Sequence, residues 1–472
     1  MLVLDKNSGH PLYMQIYYYY REQIATGIIE GGTILPPIRT LANDLQVSRN
    51  TVESAYQQLS SEGYVSSKMC SGFKVREIES DLYHKYITVS RGAGKAPLEM
   101  PHEQGVVKER KYNFQYGRLS ITDFPLHTWR KLVNQALTSE NVDCMAAYND
   151  RKGLQDLRLE IMRYLFDSRG VVCRPDQIIL CSGTLSCLNL VSELLMNEIK
   201  TVAVEEPSYD SARTVFINHG LGIIPLRLQE DGIDMDALEE TSARLLYLTP
   251  SHQFPYGCVT KINKRLNLLE WADNNDAYII EDDYDSELRY NSRPIPSMQS
   301  LDKKGRVIYL NTFSKAFAPG LRTSFIVLPQ TLLERYHSVM NKYNCGVPWL
   351  EQAVLCEFMR QGYWNRHLRK VCLSNKKKHD ILVETINGLM GEKVKIYGKN
   401  GGLHILLEVK NGLCEKELIE KASHAGVTVY PVSNYFSNPM NYSDNMVLIG
   451  YSGLSEEDII EGIKLLNSAW FL

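Results

Sequence analysis

From about residue 112 to the end, short apolar runs alternate with amphipathic helical stretches, and that alternation constrains the fold more than any other feature. The runs include Gln177–Leu180, Thr201–Val204, Leu245–Leu248, Ala277–Ile280, Val307–Leu310 and Ser324–Leu328, each followed by turn residues and a helical pattern. A strand that is apolar at every position, not every second one, is buried on both faces. The chain from 112 is therefore predicted to be α/β, a mostly parallel sheet with helices on both faces. Two other textures precede it. Residues from about 8 to 76 carry helical periodicity with short turns. From 77 to 111, charged residues such as Glu77, Asp81, Arg91 and Lys108 mix with Gly92, Gly94, Pro97 and Pro101, with no sustained apolar face. That stretch reads as a linker, long for a connection inside a compact domain. The expected partition is 1–76, a linker 77–111, and 112–472 with a large part at about 145–345 and a small part at about 346–472.

Composition matters mainly for what it excludes. The chain is 44% hydrophobic and 23% charged with a net charge of −3, which rules out a disordered or histone-like protein. No apolar run reaches membrane-spanning length. Met1–Asp5 lacks the charged head and apolar stretch of a signal peptide. The 10 cysteines include no Cys-x-x-Cys pair, so no metal site is expected, and reduced thiols in a cytoplasm are.

The N-terminal zone reads as a DNA-binding module. One helix starts near Pro11 and ends before Gly31-Gly32. A short one spans Ile38–Leu45. A third begins after Ser48, a good N-cap, with Val52, Ala55, Tyr56 and Leu59 on one face. Within Tyr17–Tyr20, the first helix is expected to place Leu12, Ile16, Tyr19 and Tyr20 on one packed face. The tight turn Gln46-Val47 suits a helix-turn-helix. Tyr64–Ser66 and Phe73–Val75 flank Lys68-Met69-Cys70-Ser71-Gly72, a hairpin with a polar, basic tip. The third helix then offers Arg49, Asn50 and Thr51 from its first turn, and Arg and Asn pair bidentately with guanine and adenine edges. Arg39, Ser48, Lys68, Ser71 and Gly72 complete the expected DNA-facing set. Basic and acidic residues nearly balance over 1–76, so the placement of Arg39, Arg49 and Lys68, not net charge, carries this reading. The run Leu35-Pro36-Pro37-Ile38-Arg39-Thr40-Leu41-Ala42, with Val47-Ser48-Arg49-Asn50-Thr51-Val52 and Glu62-Gly63-Tyr64, resembles the GntR-type winged helix. Pro37 departs from it, since the family usually has Ser there.

The C-terminal zone carries a different chemistry. Thr312-Phe313-Ser314-Lys315 follows an apolar run, and Pro319-Gly320-Leu321-Arg322 follows in turn. A Lys screened from water loses basicity and can form an imine with an aldehyde. Arg322 with the Thr312 and Ser314 hydroxyls makes a phosphate seat. Glu281-Asp282-Asp283-Tyr284 stands at the end of another run, offering a carboxylate for a pyridine nitrogen and a phenol for a ring hydroxyl. Ser182-Gly183-Thr184 lies between a strand and a helix, where backbone N–H groups bind phosphate. Tyr209 offers a ring for stacking. Singly, each motif has a bland explanation; in this order, at strand ends, they describe a pyridoxal 5′-phosphate (PLP) site.

Residues 112–472 resemble a class I aminotransferase domain, and the combination with the winged helix resembles the MocR/GabR subfamily of GntR regulators. Thr249-Pro250-Ser251-His252-Gln253-Phe254-Pro255-Tyr256-Gly257 and Ile280–Glu287 are typical of that subfamily. The resemblance implies that Lys315 is the Schiff-base lysine, Asp282 the pyridinium partner and Tyr284 the partner of the 3-hydroxyl. It implies phosphate contacts from Arg322, Thr312, Ser314, Ser182, Gly183 and Thr184, and stacking by Tyr209. His252 or Gln253 takes the ring-side polar role that Asn holds in aminotransferases. Tyr148 resembles the Tyr that reaches the partner subunit's phosphate. Family members form head-to-tail homodimers on double-stranded DNA operators. Two departures bear on the effector. Gly453 stands where a late turn carries an Arg for a substrate carboxylate, and Asp210-Ser211 stands where the GABA-responsive pattern has another Arg. The expectation is a PLP-dependent transcriptional regulator that senses PLP. The alternatives are a regulator responding to an amino acid, through Arg118 or Arg213, and a working aminotransferase with an appended DNA-binding module.

Overall fold

The structure, a computed structural model, describes residues 2–5, 9–68, 72–78, 111–138, 140–148, 150–290, 295–438 and 442–472. The chain divides into two compact units, 1–107 and 108–472. Apart from residues 77, 78 and 111, the expected linker lies outside the described residues.

In the first unit the helices are Leu12–Ala25, Ile38–Asp44 and Arg49–Ser61, followed by the antiparallel strands Val65–Lys68 and Gly72–Val75. Val52, Ala55, Tyr56 and Leu59 of the third helix are fully buried, so the helical spacing selects the core as expected. The buried residues of the first helix are Ile16, Tyr17, Tyr20, Ile24 and Ala25, with Leu12 and Tyr19 only half-buried. Tyr17 replaces Tyr19 in the predicted row because its hydroxyl reaches the Glu62 carboxylate at 2.6 Å, which satisfies the polar end of a buried ring. Gln46 takes a left-handed φ of 53°, which closes the tight turn between the second and third helices. Leu35 N–H donates to Phe73 C=O and Val75 N–H to Thr33 C=O, both at 2.8 Å, adding a third edge to the hairpin. The sequence reading missed that edge because Thr33-Ile34-Leu35 is too short to show a period.

The second unit is built on an eight-stranded sheet. Its spatial order is Ile178–Cys181, Ser324–Val327, Val307–Thr312, Tyr278–Asp282, Leu245–Leu248, Thr201–Glu206, Gly222–Gln229 and Gly232–Ile233. The five strands from Val307–Thr312 to Gly222–Gln229 are mutually parallel, and Ser324–Val327 runs antiparallel to both its neighbours. All six predicted runs are strands of this sheet. Successive residues face opposite layers. Tyr247 packs with the helices Thr184–Leu195 and Asp210–Asn218, while Leu246 and Leu248 pack against Leu268 and Trp271. That double burial explains why the runs are apolar throughout.

A second, four-stranded sheet joins Val394–Tyr397, His404–Val409, Met446–Gly450 and Tyr430–Pro431. Tyr112–Asn113 pairs with Val427–Thr428, and Phe114 is buried in the core under this sheet. The start of the unit thus packs with its C-terminal part. No local pattern announces that return.

Candidate functional site

The parallel strands all point their carboxyl ends at one region, the usual crevice for ligands in open α/β sheets. Asp282 ends its strand, Ser182 follows Cys181, Thr249 follows Leu248, and Lys315 lies three residues beyond Thr312. Between them is a cavity of about 160 Å³ lined by residues that include Tyr116, Gly117, Thr184, Tyr209, Tyr247, Asp282, Tyr284, Thr312, Ser314, Lys315 and Arg322. Nine of the residues expected to hold PLP therefore converge here or touch the lining. Eight line it directly, and Gly183 packs so tightly under Arg322 that a Cβ there would overlap the guanidinium. Gly183 has a φ of 90° and caps the helix Thr184–Leu195, whose first N–H groups face this end of the sheet.

The acidic motif divides its labour by strand geometry. Glu281 accepts the Met298 and Gln299 N–H groups at 2.7 and 2.9 Å. Asp283 forms a buried ion pair with Arg169, with 2.7 Å from Nε to Oδ2, and also accepts the Tyr309 hydroxyl. Of the three carboxylates, only Asp282 lines the cavity. Its Oδ2 accepts the Tyr247 hydroxyl at 2.7 Å, whereas Oδ1 is buried without a hydrogen-bond partner. Burial raises the Asp282 pKa to about 7, opposed first by the Tyr247 hydrogen bond.

Lys315 Nζ sits 3.8 Å from the centroid of the Tyr116 ring. Burial lowers its pKa to about 8, with Asp285 and then Asp282 opposing the shift. Thr312 Oγ1 accepts the Ser324 hydroxyl at 2.7 Å and the Ser314 N–H at 3.2 Å. The Ser314 hydroxyl is buried and unpartnered.

The ring-side polar role is where the sequence expectation needs correcting. Neither His252 nor Gln253 lines the cavity; Phe254 and Thr249 do. Gln253 donates its amide to Pro207 C=O and Phe254 C=O at 2.8 and 2.6 Å, so it holds the loop together. His252 lies one layer behind, bonded through Nδ1 to Asp285 Oδ2 at 2.8 Å and to the Tyr284 hydroxyl at 3.1 Å. Ser182 is not among the lining residues. Tyr148 is 90% exposed, on the surface of this chain. Tyr116, Tyr247 and Phe254 were not singled out from sequence. Tyr247 had a signal, because Leu245–Leu248 neighbours Tyr278–Asp282 and a phenol inside an apolar strand needs a partner. Tyr116 had none, since it lies about 200 residues from Lys315.

In the first unit, Arg39, Arg49 and Asn50 are exposed at helix starts, and Thr51 is half-buried. Ser48 Oγ accepts the Thr51 N–H at 3.1 Å and lies 2.8 Å from Thr51 Oγ1, which makes Ser48 an N-cap in fact. Gly72 opens its strand with a φ of 79°. Ser71 and the Lys68 side chain lie outside the described residues.

The comparisons with known proteins agree with both halves. "Bacterial regulatory proteins, gntR family" matches residues 12–75, and "Aminotransferase class I and II" matches residues 115–458. The HTH-type transcriptional regulator YdeL of Bacillus subtilis is 38% identical over 99% of this chain and 98% of its own. The probable rhizopine catabolism regulatory protein MocR of Rhizobium meliloti is 33% identical over 100% and 96%. The pyridoxine biosynthesis regulator PdxR of Corynebacterium glutamicum is 29% identical over 98% and 96%. A crystal structure of Pyrococcus horikoshii kynurenine aminotransferase in complex with PMP superposes with a TM-score of 0.70. It is 26% identical and covers 80% of this chain and 95% of that one.

Proposed function

The chain belongs to the HTH-type transcriptional regulators that join a GntR-family DNA-binding module to a class I and II aminotransferase domain, and from that membership we propose how its two units work together. The second unit binds PLP at Lys315, and occupancy of that cavity sets the affinity of the first unit for operator DNA. The observation that carries this reading is the set of buried groups left without partners around one amine. They are Asp282 Oδ1, which would accept a pyridinium N–H, and the Ser314 hydroxyl, which lines the cavity with Arg322 and would serve phosphate oxygens. An unmade hydrogen bond on a buried polar atom costs about 1–3 kcal/mol, and a bound PLP would satisfy both groups.

When bound, PLP supplies an aldehyde and an electron-withdrawing ring. The rest is done by the chain. Lys315, its basicity lowered by burial, presents an amine that is unprotonated at only mildly alkaline pH. Asp282 holds a proton on the ring nitrogen, with Tyr247 fixing the carboxylate. Tyr209 stacks on the ring, and Tyr116, whose ring lies 3.8 Å from Lys315 Nζ, shields the amine from water. Arg322, Ser314, Thr312 and the helix start at Thr184 take the phosphate. In the first unit, Arg49 and Asn50 read base edges while Arg39 and Lys68 hold the backbone. The protein acts in the cytoplasm as a homodimer, with Tyr148 reaching the partner's phosphate, and as a regulator rather than an enzyme.

PLP itself is the effector that the cavity favours. Gly453 and Ser211 offer no carboxylate anchor, and Arg213 is spent on the carbonyls of Asn434 and Tyr435. One observation favours the second reading, an amino acid as effector. The stem of Arg118 lies across Gly453, where a Cβ would fall 2.9 Å from its Cγ, so an arginine from a distant loop occupies the missing anchor's neighbourhood. Borohydride reduction of the PLP-loaded protein, followed by peptide mapping, tests the site. The label is expected on Lys315, and a label on another lysine overturns the assignment. A panel of amino acids that leaves the visible spectrum of wild type unchanged supports PLP alone. A spectral shift lost in Arg118→Met supports the second reading.

A further inference from the structure

We propose that His252 and Asp285 form a positioning pair that aims the hydroxyl proton of Tyr284 at the 3-oxygen of bound PLP. The inference rests on the PLP reading above and adds a function for two residues that do not line the cavity. Two contacts meet at a single ring nitrogen: His252 Nδ1 is 2.8 Å from Asp285 Oδ2 and 3.1 Å from the Tyr284 oxygen. A nitrogen that donates its proton to a carboxylate has no lone pair left to accept one. The Tyr284 oxygen therefore receives the second branch of that N–H, and its own proton points elsewhere, into the cavity that Tyr284 lines. The phenol keeps this proton, because burial and then the Asp285 charge push its pKa well above the ordinary value. Donation into the phenol oxygen in turn makes its O–H a stronger donor.

The imidazole is held for this role. Asp285 and His252 are both buried, at 2% and 8% exposure. Gly257 and Gly402, both with positive φ, press on its edge: a Cβ at 257 would fall 2.8 Å from Nε2, and one at 402 would overlap Cε1. Larger residues at either position would displace the ring. The arrangement matters here because Phe254 lines the wall of the cavity and has no donor, which leaves Tyr284 to serve the 3-oxygen.

Among the described residues, Asp285 acts on Asp282, Lys315, Arg289, Tyr116, Tyr284, Tyr290 and Tyr451. Lys315 feels Asp285 as its main favourable charge. Arg289 is also drawn toward Asp285, and Asp282 and Tyr116 act on Tyr284. His404, 6.1 Å from the His252 ring, is kept neutral by burial with a pKa lowered to about 3, so it does not compete for the proton.

The test is a double-mutant cycle on PLP-loaded, full-length protein, read as the pH midpoint of the visible absorption band. His252→Phe keeps the ring's shape and removes the donor. It is expected to raise the midpoint by about half a pH unit, since a weaker hydrogen bond to the 3-oxygen anion disfavours the deprotonated form. Tyr284→Phe should raise it further, and adding His252→Phe to Tyr284→Phe should change nothing more. His252→Gln, whose amide N–H still reaches a carboxylate, should restore part of the wild-type midpoint; it also completes the cycle if the Phe variant does not fold. An equal shift from His252→Phe in both backgrounds means it does not act through Tyr284, and no shift in either means it does not act at all. Both results overturn the proposal while leaving PLP binding intact. A wild-type protein with no visible band overturns the PLP reading and this inference with it.

Discussion

The two units put their functional residues in opposite environments. In the winged-helix unit, the side chains proposed to meet DNA are exposed ones at helix starts, such as Arg39 and Arg49, and the core beneath them is made of neighbours in sequence. In the aminotransferase-like unit, the functional groups are buried, and residues from Tyr116 to Arg322 meet around one amine. The first arrangement lets a surface change without disturbing the fold. In the second, each functional group is also a structural one, so a substitution is felt by its neighbours.

That contrast can be broken most easily at the buried ion pair. Arg169→Met should destabilise the second unit by about 3–5 kcal/mol, because it leaves Asp283 charged and unpaired in the interior. Urea unfolding should show that transition moving while the first unit's does not. Equal movement of both would mean the units do not unfold independently.

The next effect is on pH. Capture of PLP needs the unprotonated Lys315 amine, so the rate at which apoprotein takes up PLP should rise with pH and level off above about 8, not above the ordinary lysine value of 10.5. The same shift has a stability consequence. Between about 8 and 10.5 the unfolded chain holds the Lys315 proton and the folded one does not, so apoprotein stability should increase with pH across that window. Stopped-flow absorbance and thermal melts check the two halves. A capture midpoint near 10 would mean that the amine is not buried.

Smaller effects belong to the exposed unit. Arg49→Ala should weaken operator binding by about 1–3 kcal/mol if it reads a base edge, with the melting temperature of either unit unchanged. Ser48→Ala should reverse the pattern. Losing the cap on Thr51 should cost about 1 kcal/mol of stability, read in thermal unfolding, with a lesser effect on DNA binding.

How much was legible in the sequence follows from the same contrast. The third helix was readable because Val52, Ala55, Tyr56 and Leu59 state their period within eight residues. The sheet was readable because six strands are buried on both faces. Lys315, Asp282 and Arg322 could be named as candidates because each lies at or beyond the carboxyl end of a strand in a short, chemically odd motif, and the fold brings all three to one cavity. The pairing of Tyr112–Asn113 with Val427–Thr428 was not, since it joins segments more than 300 residues apart with no pattern of their own. His252 was misplaced for a related reason. Thr249 and Phe254 of the loop line the cavity, and the residues between them do not. The sequence names the candidates but does not show that Gln253 is drawn to two carbonyls and His252 to Asp285.

The central claim is that one cavity in the second unit governs DNA binding by the first. Operator affinity measured at fixed salt for apoprotein and PLP-loaded protein, in wild type and in Lys315→Ala, tests it most directly. PLP should change the affinity of the wild type and leave that of Lys315→Ala unchanged. Equal affinities for apo and loaded wild type, or a PLP response that survives Lys315→Ala, would contradict the account.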